Sequence, residues 1–116
     1  MGVAALVPDL LFSTKITSTA ASLGVPVKVL RSLEALSQRL GEAKVTLVLL
    51  DFDSEDIDPI EAITACRQAA SPPRIVAFGP HVRGDLIEAC RRAGADEVLP
   101  RSAFVRRLPE LLRAAQ

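Results

Sequence analysis

Apolar residues along this chain gather into short blocks separated by longer stretches of mixed character. Val3 to Val7 is one continuous apolar run and Val45-Thr46-Leu47-Val48-Leu49-Leu50 is another, each followed closely by an aspartate. Unbroken runs of this length suit strands buried on both faces, where the alternation of polar and apolar positions is lost. Three further blocks have breakers at an edge: Val27 to Leu30 after Pro26, Ile75 to Phe78 after Pro72-Pro73, and Glu97-Val98-Leu99 before Pro100. Proline offers no N–H to a neighbouring strand, so these positions mark strand ends.

The stretches between the blocks carry helical spacing. Leu11 to Leu23 ends at Gly24, Leu33 to Leu40 is opened by Ser32 and closed by Gly41, and a segment from about Arg83 to Ala93 ends at Gly94. Glycine just beyond a helix accepts the left-handed turn that stops it. Ile60 to Ala70 has a well-formed start, with Asp58 as N-cap, Pro59 at the first helical position and Glu61 completing a capping-box arrangement. A last amphipathic stretch, Ala103 to Ala114, follows Ser102 and carries Leu108, Leu111 and Leu112. Pro109 inside it is predicted to bend or restart the helix, because its nitrogen has no hydrogen for the preceding turn.

Strand and helix thus alternate five times with short connections. That order predicts an α/β fold, a flavodoxin-like doubly wound five-stranded parallel sheet with helices on both faces, (βα)5. In such a sheet the functional crevice lies at the carboxyl ends of the strands. Asp9, Asp51 and Gly79 fall on that rim.

Composition narrows the chemistry. With 116 residues, 49% of them apolar, the chain supports one core, and residues 1–116 are expected to form a single domain. Lys plus Arg equal Asp plus Glu at 14 each, so no overall field draws the protein to nucleic acid or to a membrane. Arg91, Arg92, Arg101, Arg106, Arg107 and Arg113 cluster late in the chain and read as a solvated helix face or a partner-docking patch. Four Phe and no Trp or Tyr leave little stacking surface for bases, sugars or flavin. Cys66 and Cys90 sit in predicted helices outside any C-x-x-C motif, as expected of reduced, packed thiols in a cytoplasmic protein. The amino terminus lacks a basic n-region, and Pro8-Asp9 interrupts its apolar run before signal-peptide length.

Common enzymatic constellations are missing. His81 is the only histidine, Gly-x-Ser-x-Gly is absent, and the six glycines form neither a Walker loop nor a dinucleotide fingerprint. The acids at 51, 53, 55, 56 and 58 lack the glycine turn and closing glutamate of an EF-hand loop. The chain is therefore not expected to be an enzyme.

Two segments resemble response-regulator receiver domains of two-component systems. The run from Leu47 through Asp51 to Glu61 is similar to the stretch around that family's phosphoacceptor aspartate, and Ala93-Gly94-Ala95-Asp96-Glu97-Val98-Leu99-Pro100-Arg101 resembles its Ala-Gly-Ala-Asp-Asp-Tyr-Leu-x-Lys stretch. Element order agrees over essentially the whole chain. The resemblance implies a CheY-like fold with Asp51 at the phosphoacceptor position and a metal site for Mg²⁺ formed by Asp9, Asp51 and the backbone carbonyl of Asp53. It also implies Arg101 at the position of the family's lysine, Gly79 at that of its Thr or Ser, and Val98 at that of its switch aromatic.

Departures from the family pattern shape the functional expectation. One acid, Asp9, stands where the family has two, and Ser102 replaces the proline after the lysine position. With the hydroxyl and the switch aromatic missing as well, the expectation is a stand-alone, divergent pseudo-receiver acting mainly through protein–protein interaction, with phosphorylation at Asp51 weak or lost. No cofactor is expected to be required, and Mg²⁺ is the one cation implied. The expected partners are a kinase or output protein, or a second copy through the fourth and fifth helices, with no nucleic acid and no membrane. The alternatives are a phosphorylation-competent, Mg²⁺-dependent receiver using Asp51, and a small-ligand binder using the same crevice.

Overall fold

The computed structural model describes residues 2–116. Strands β1 (Gly2–Leu6), β2 (Val27–Leu30), β3 (Val45–Asp51), β4 (Arg74–Gly79) and β5 (Glu97–Pro100) alternate with helices α1 (Leu10–Leu23), α2 (Leu33–Glu42), α3 (Pro59–Arg67), α4 (Gly84–Ala93) and α5 (Arg101–Ala114). The strands form one parallel sheet in the order β2-β1-β3-β4-β5, the flavodoxin-like order expected for this alternation.

Side chains leave a strand alternately to its two faces, and the core divides accordingly. Ala4, Leu6, Val48, Leu50, Ile75 and Ala77 meet Leu36, Ile63, Cys66 and Cys90 of α2, α3 and α4. Val3, Ala5, Leu47, Leu49, Val76 and Phe78 meet Ile16 and Ala20 of α1 and Phe104, Leu108, Leu111 and Leu112 of α5. Asp51 continues the second set in parity, which aims it toward α1 and α5. Phe52, the next residue, joins the first.

Local signals account for most of the boundaries. Asp58 caps α3 by accepting from the N–H groups of Ile60 (2.9 Å) and Glu61 (3.4 Å), and Ser32 caps α2 through the Ala35 N–H. Gly24 (φ 71°) and Gly94 (φ 117°) end α1 and α4 in the left-handed region, where a Cβ would be strained. Both cysteines are buried free thiols, and burial pushes each up to about 11.

Several boundaries differ from expectation. Helix α2 runs through Gly41 to Glu42, α3 stops at Arg67 rather than Ala70, and α5 begins at Arg101, ahead of Ser102. Helix α5 also continues through Pro109 without restarting. Proline inside a helix costs about 3 kcal/mol. Phe104, Leu108, Leu111 and Leu112 are fully buried on either side of Pro109, and their packing carries the helix past it. Among the described residues no helix is long and apolar enough to cross a membrane.

Candidate functional site

The first and third strands both end in the cleft at the carboxyl rim, and each delivers one carboxylate there. Strand β3 places Asp51 at its last position, 4% exposed, one of two buried polar residues of the described core. After β1 the chain turns at Pro8, and Asp9 becomes the N-cap of α1, its Oδ1 accepting from the Phe12 N–H at 3.2 Å. A cleft of about 360 Å³ is lined by Pro8, Asp9, Asp51, Asp53, Ser54, Glu55, Asp56 and Arg101. Five carboxylates thus face one guanidinium.

Asp51 is held from two sides. Its Oδ1 accepts the Asp53 N–H at 2.9 Å, and its Oδ2 lies 3.6 Å from Nη2 of Arg101. Burial pushes the Asp51 carboxyl above its ordinary value of 3.8. The Asp53 N–H and the Arg101 charge work against that rise, while the charges of Asp53 and Asp9 add to it. Loss of hydration by an ionised group outweighs one bond and one partially solvated partner.

Arg101 opens α5 and lies with its guanidinium carbon 5.9 Å from the Phe12 ring centroid. Its Nε is buried without a hydrogen-bond partner among the described residues. Phe12 in turn stacks on Phe78 at 4.9 Å, and Phe78 on Phe104 at 4.0 Å. An aromatic column rooted in the core therefore supports the cation beside Asp51. Asp53 is engaged on the other side, where its Oδ1 takes Nη1 of Arg83 at 3.2 Å and links the loop after β3 to the start of α4.

The remaining expected positions lie outside the cleft. Gly79 ends β4 against the ring of Phe52, and a methyl group at Gly79 would lie 2.6 Å from the Phe52 Cε1 and Cζ atoms. Val98 is buried in β5 within the core beneath α3 and α4. Phe12, Phe52 and Arg83 were not among the residues expected here. Phe52 adjoins Asp51 and Phe12 lies three residues after Asp9, and only the first turn of α1 and the end of β3 reveal what they face. Arg83 lies thirty residues from its partner, and nothing in the sequence pairs them.

The raised Asp51 carboxyl yields a prediction. A carboxyl raised in the folded state opposes folding above its folded titration point, and the penalty disappears as pH falls toward the unfolded value of 3.8. Asparagine keeps an oxygen for the Asp53 N–H without the buried charge. Asp51→Asn is expected to raise stability at neutral pH by about 0.5–2 kcal/mol, with the gain shrinking as pH is lowered. Urea unfolding of both proteins across that range checks it, and a variant less stable than the parent at pH 7 would refute it.

Comparisons with known proteins place the architecture. No family model matches the sequence, and no curated protein is similar to it in sequence. Solved structures are similar in fold. A two-component response regulator from Clostridium difficile superposes with a TM-score of 0.85 at 16% identity, over 99% of this chain and 94% of that one. The receiver domain of a sensor histidine kinase from Pseudomonas aeruginosa, solved with a magnesium ion in its active-site cleft, gives 0.83 at 18% identity over 98% and 97%. The NtrX receiver domain from Brucella abortus gives 0.84 at 12% identity over 97% and 96%. Strand order, rim cleft and these superpositions agree: the chain has the CheY-like, flavodoxin-like fold of response-regulator receiver domains.

Proposed function

We propose that this domain is a divergent receiver-like signalling module, not an enzyme, that acts by binding another protein, with phosphoryl transfer to Asp51 weak or lost. The observation that carries the reading is the packing of Phe52 on Gly79. Phosphoryl transfer to a carboxylate needs donors and cations arranged around the developing charge. At the end of β4 this chain supplies a buried aromatic ring where receivers carry a hydroxyl.

The cation site argues the same way. Mg²⁺ prefers near-octahedral oxygen ligands and is commonly held by one or two carboxylates with waters. Asp9 and Asp51 each already have one carboxylate oxygen engaged, by the Phe12 N–H and the Asp53 N–H respectively; Asp53, implied as a ligand through its backbone carbonyl, has its carboxylate bound to Arg83. The second Asp51 oxygen faces Arg101. Arg101 acts as the resident counter-ion of Asp51, so a cation entering the cleft competes with a guanidinium already placed there.

Partner binding is assigned to α4, β5 and α5, with a kinase, an output protein or a second copy as the partner, in the cytoplasm. Strand β5 is an edge of the sheet, and exposed Arg91, Arg92, Arg106 and Arg113 surround it on the two helices. Arginine is enriched at protein interfaces. Intact-mass measurement after acetyl phosphate and Mg²⁺, repeated on Asp51→Ala, tests the proposal. The parent mass is expected to remain unchanged, whereas a stoichiometric phosphate adduct that vanishes in the variant would overturn it.

One observation favours the phosphorylation-competent reading. Asp51 lies at the carboxyl end of the central strand with Asp9 and Arg101 lining the same cleft, and the Pseudomonas domain of this fold holds magnesium in its own cleft. The adduct measurement separates the two readings.

A further inference from the structure

At the opposite end of the sheet, beneath the amino ends of β1 and β3, a second concavity of about 250 Å³ is lined by Lys28, Arg39 and Lys44 together with Val3, Pro26 and Ala43. We propose that this cavity binds a small oxyanion carrying two or more charges, of the phosphate or polycarboxylate kind.

Three elements bring the cations together. Lys28 comes from edge strand β2, Arg39 from the last turn of α2, and Lys44 from the turn into β3. Backbone hydrogen bonds tie the frame together: the Gly2 N–H donates to the Lys44 carbonyl at 3.1 Å, the Val3 N–H to that of Pro26 at 3.4 Å, and the Ala43 N–H to that of Arg39 at 3.1 Å. No carboxylate lines the cavity. Among the described residues none of the three cations forms an ion pair, a property they share with Lys15, Arg31, Arg67, Arg91, Arg106 and Arg113 but not with Arg74, Arg83, Arg92, Arg101 and Arg107; what sets the three apart is that they line one cavity.

Each cation has a local explanation that stops short of the cluster. A lysine on an edge strand discourages pairing with another sheet, and an arginine in a last turn offsets the helix dipole. Neither reason requires the charges to share one concavity, where they repel one another. An anion with several charges relieves that repulsion and gains from all three. The cavity is smaller than the usual range for drug-sized ligands, about 300–1,000 Å³, and this limits the ligand to a compact anion. Val3, Pro26, Val27 and Ala43 supply apolar lining, and Lys28, Arg39 and Lys44 are its charged residues. The acidic cleft at the other rim repels the same ligand, so the molecule presents one anion-binding end.

The test is a titration with pyrophosphate, and separately with citrate, followed by backbone amide NMR in low salt. Saturable shifts centred on Val3, Lys28 and Lys44 are expected, with affinity falling as the Debye length shortens from about 30 Å at 0.01 M salt to about 8 Å at 0.15 M. Lys44→Glu is expected to weaken binding at least about tenfold, because a favourable contact becomes repulsive. Arg92→Glu, an equal charge change on α4, is expected to leave it within about twofold. Binding of pyrophosphate alone identifies a phosphate-selective site, and equal binding of citrate a general polyanion site. Shifts that do not saturate, that centre elsewhere, or that respond equally to both substitutions would overturn the proposal.

Discussion

Gly79→Thr is expected to destabilise the domain by about 3 kcal/mol, the upper part of the usual range for overpacking a core. The added Cβ would stand 2.6 Å from two carbons of the Phe52 ring, closer than non-bonded carbons approach. The ring is 1% exposed and packs in the same cluster as Ile57, Ala62 and Ile63. Its way out is toward the groove lined by Pro59, Arg83 and Leu86, which would bare aromatic surface and disturb the Arg83–Asp53 link. Phe52→Ala removes the obstacle, so the threonine should cost markedly less in that background. A double-mutant cycle by urea unfolding measures the coupling, and additive effects of the two substitutions would show that ring and glycine do not interlock.

The second large effect is expected at Phe104, where Phe104→Ala should cost about 3–5 kcal/mol through lost burial and the cavity left behind. Phe104 is fully buried, with its ring 4.0 Å from that of Phe78 at an interplanar angle of 14°, and 5.8 Å from that of Phe12. Phe12 is only half-buried and free to lean into the vacated space. That shift would draw the aromatic face away from Arg101 and loosen its approach to Asp51. The Asp51 carboxyl should then titrate higher still, because the Arg101 charge is one of the two influences holding it down. Equilibrium unfolding gives the stability, and carboxyl carbon NMR of Asp51 the titration. A loss below about 1 kcal/mol would show that the face repacks without the ring.

The two carboxylates that change most in the folded state differ for physical reasons. Glu97 is held below its ordinary range, first by its bond from Arg107; burial, the next largest influence, opposes this, and the bond from Arg74 and the charges of both arginines add to the lowering. Its contribution to stability is present at neutral pH and is lost as pH falls through its lowered titration point. Asp51 has the opposite sign, because burial exceeds what one N–H and a guanidinium at 3.6 Å return.

Legibility from sequence was uneven. The alternation of blocks, the Asp58 and Ser32 caps and the terminating Gly24 and Gly94 were readable because each depends on residues within a turn of one another. Placing Asp9, Asp51 and Gly79 on one rim followed from the parallel order, since successive strands all end there, whereas Arg101 was implied only by the family resemblance. The extents of α2 and α5 were misread because Gly41 and Pro109 argue locally for breaks. In α5 the packing of four large side chains decided otherwise.

What the sequence determined by itself was the order of elements, their faces and the set of acids after β1 and β3, because periodicity and capping are short-range properties. The tertiary structure alone decided that Phe52 fills the space beside Gly79, that Arg83 claims Asp53, that Arg101 rests on Phe12 beside Asp51, and that Lys28, Arg39 and Lys44 surround one cavity. The contacts of Phe52, Arg83 and Arg101 join residues far apart in the chain, the three cations come from successive elements, and all depend on strand register and helix placement. A pattern of apolar and polar positions specifies which face a residue takes and carries no information about which distant side chain shares that face.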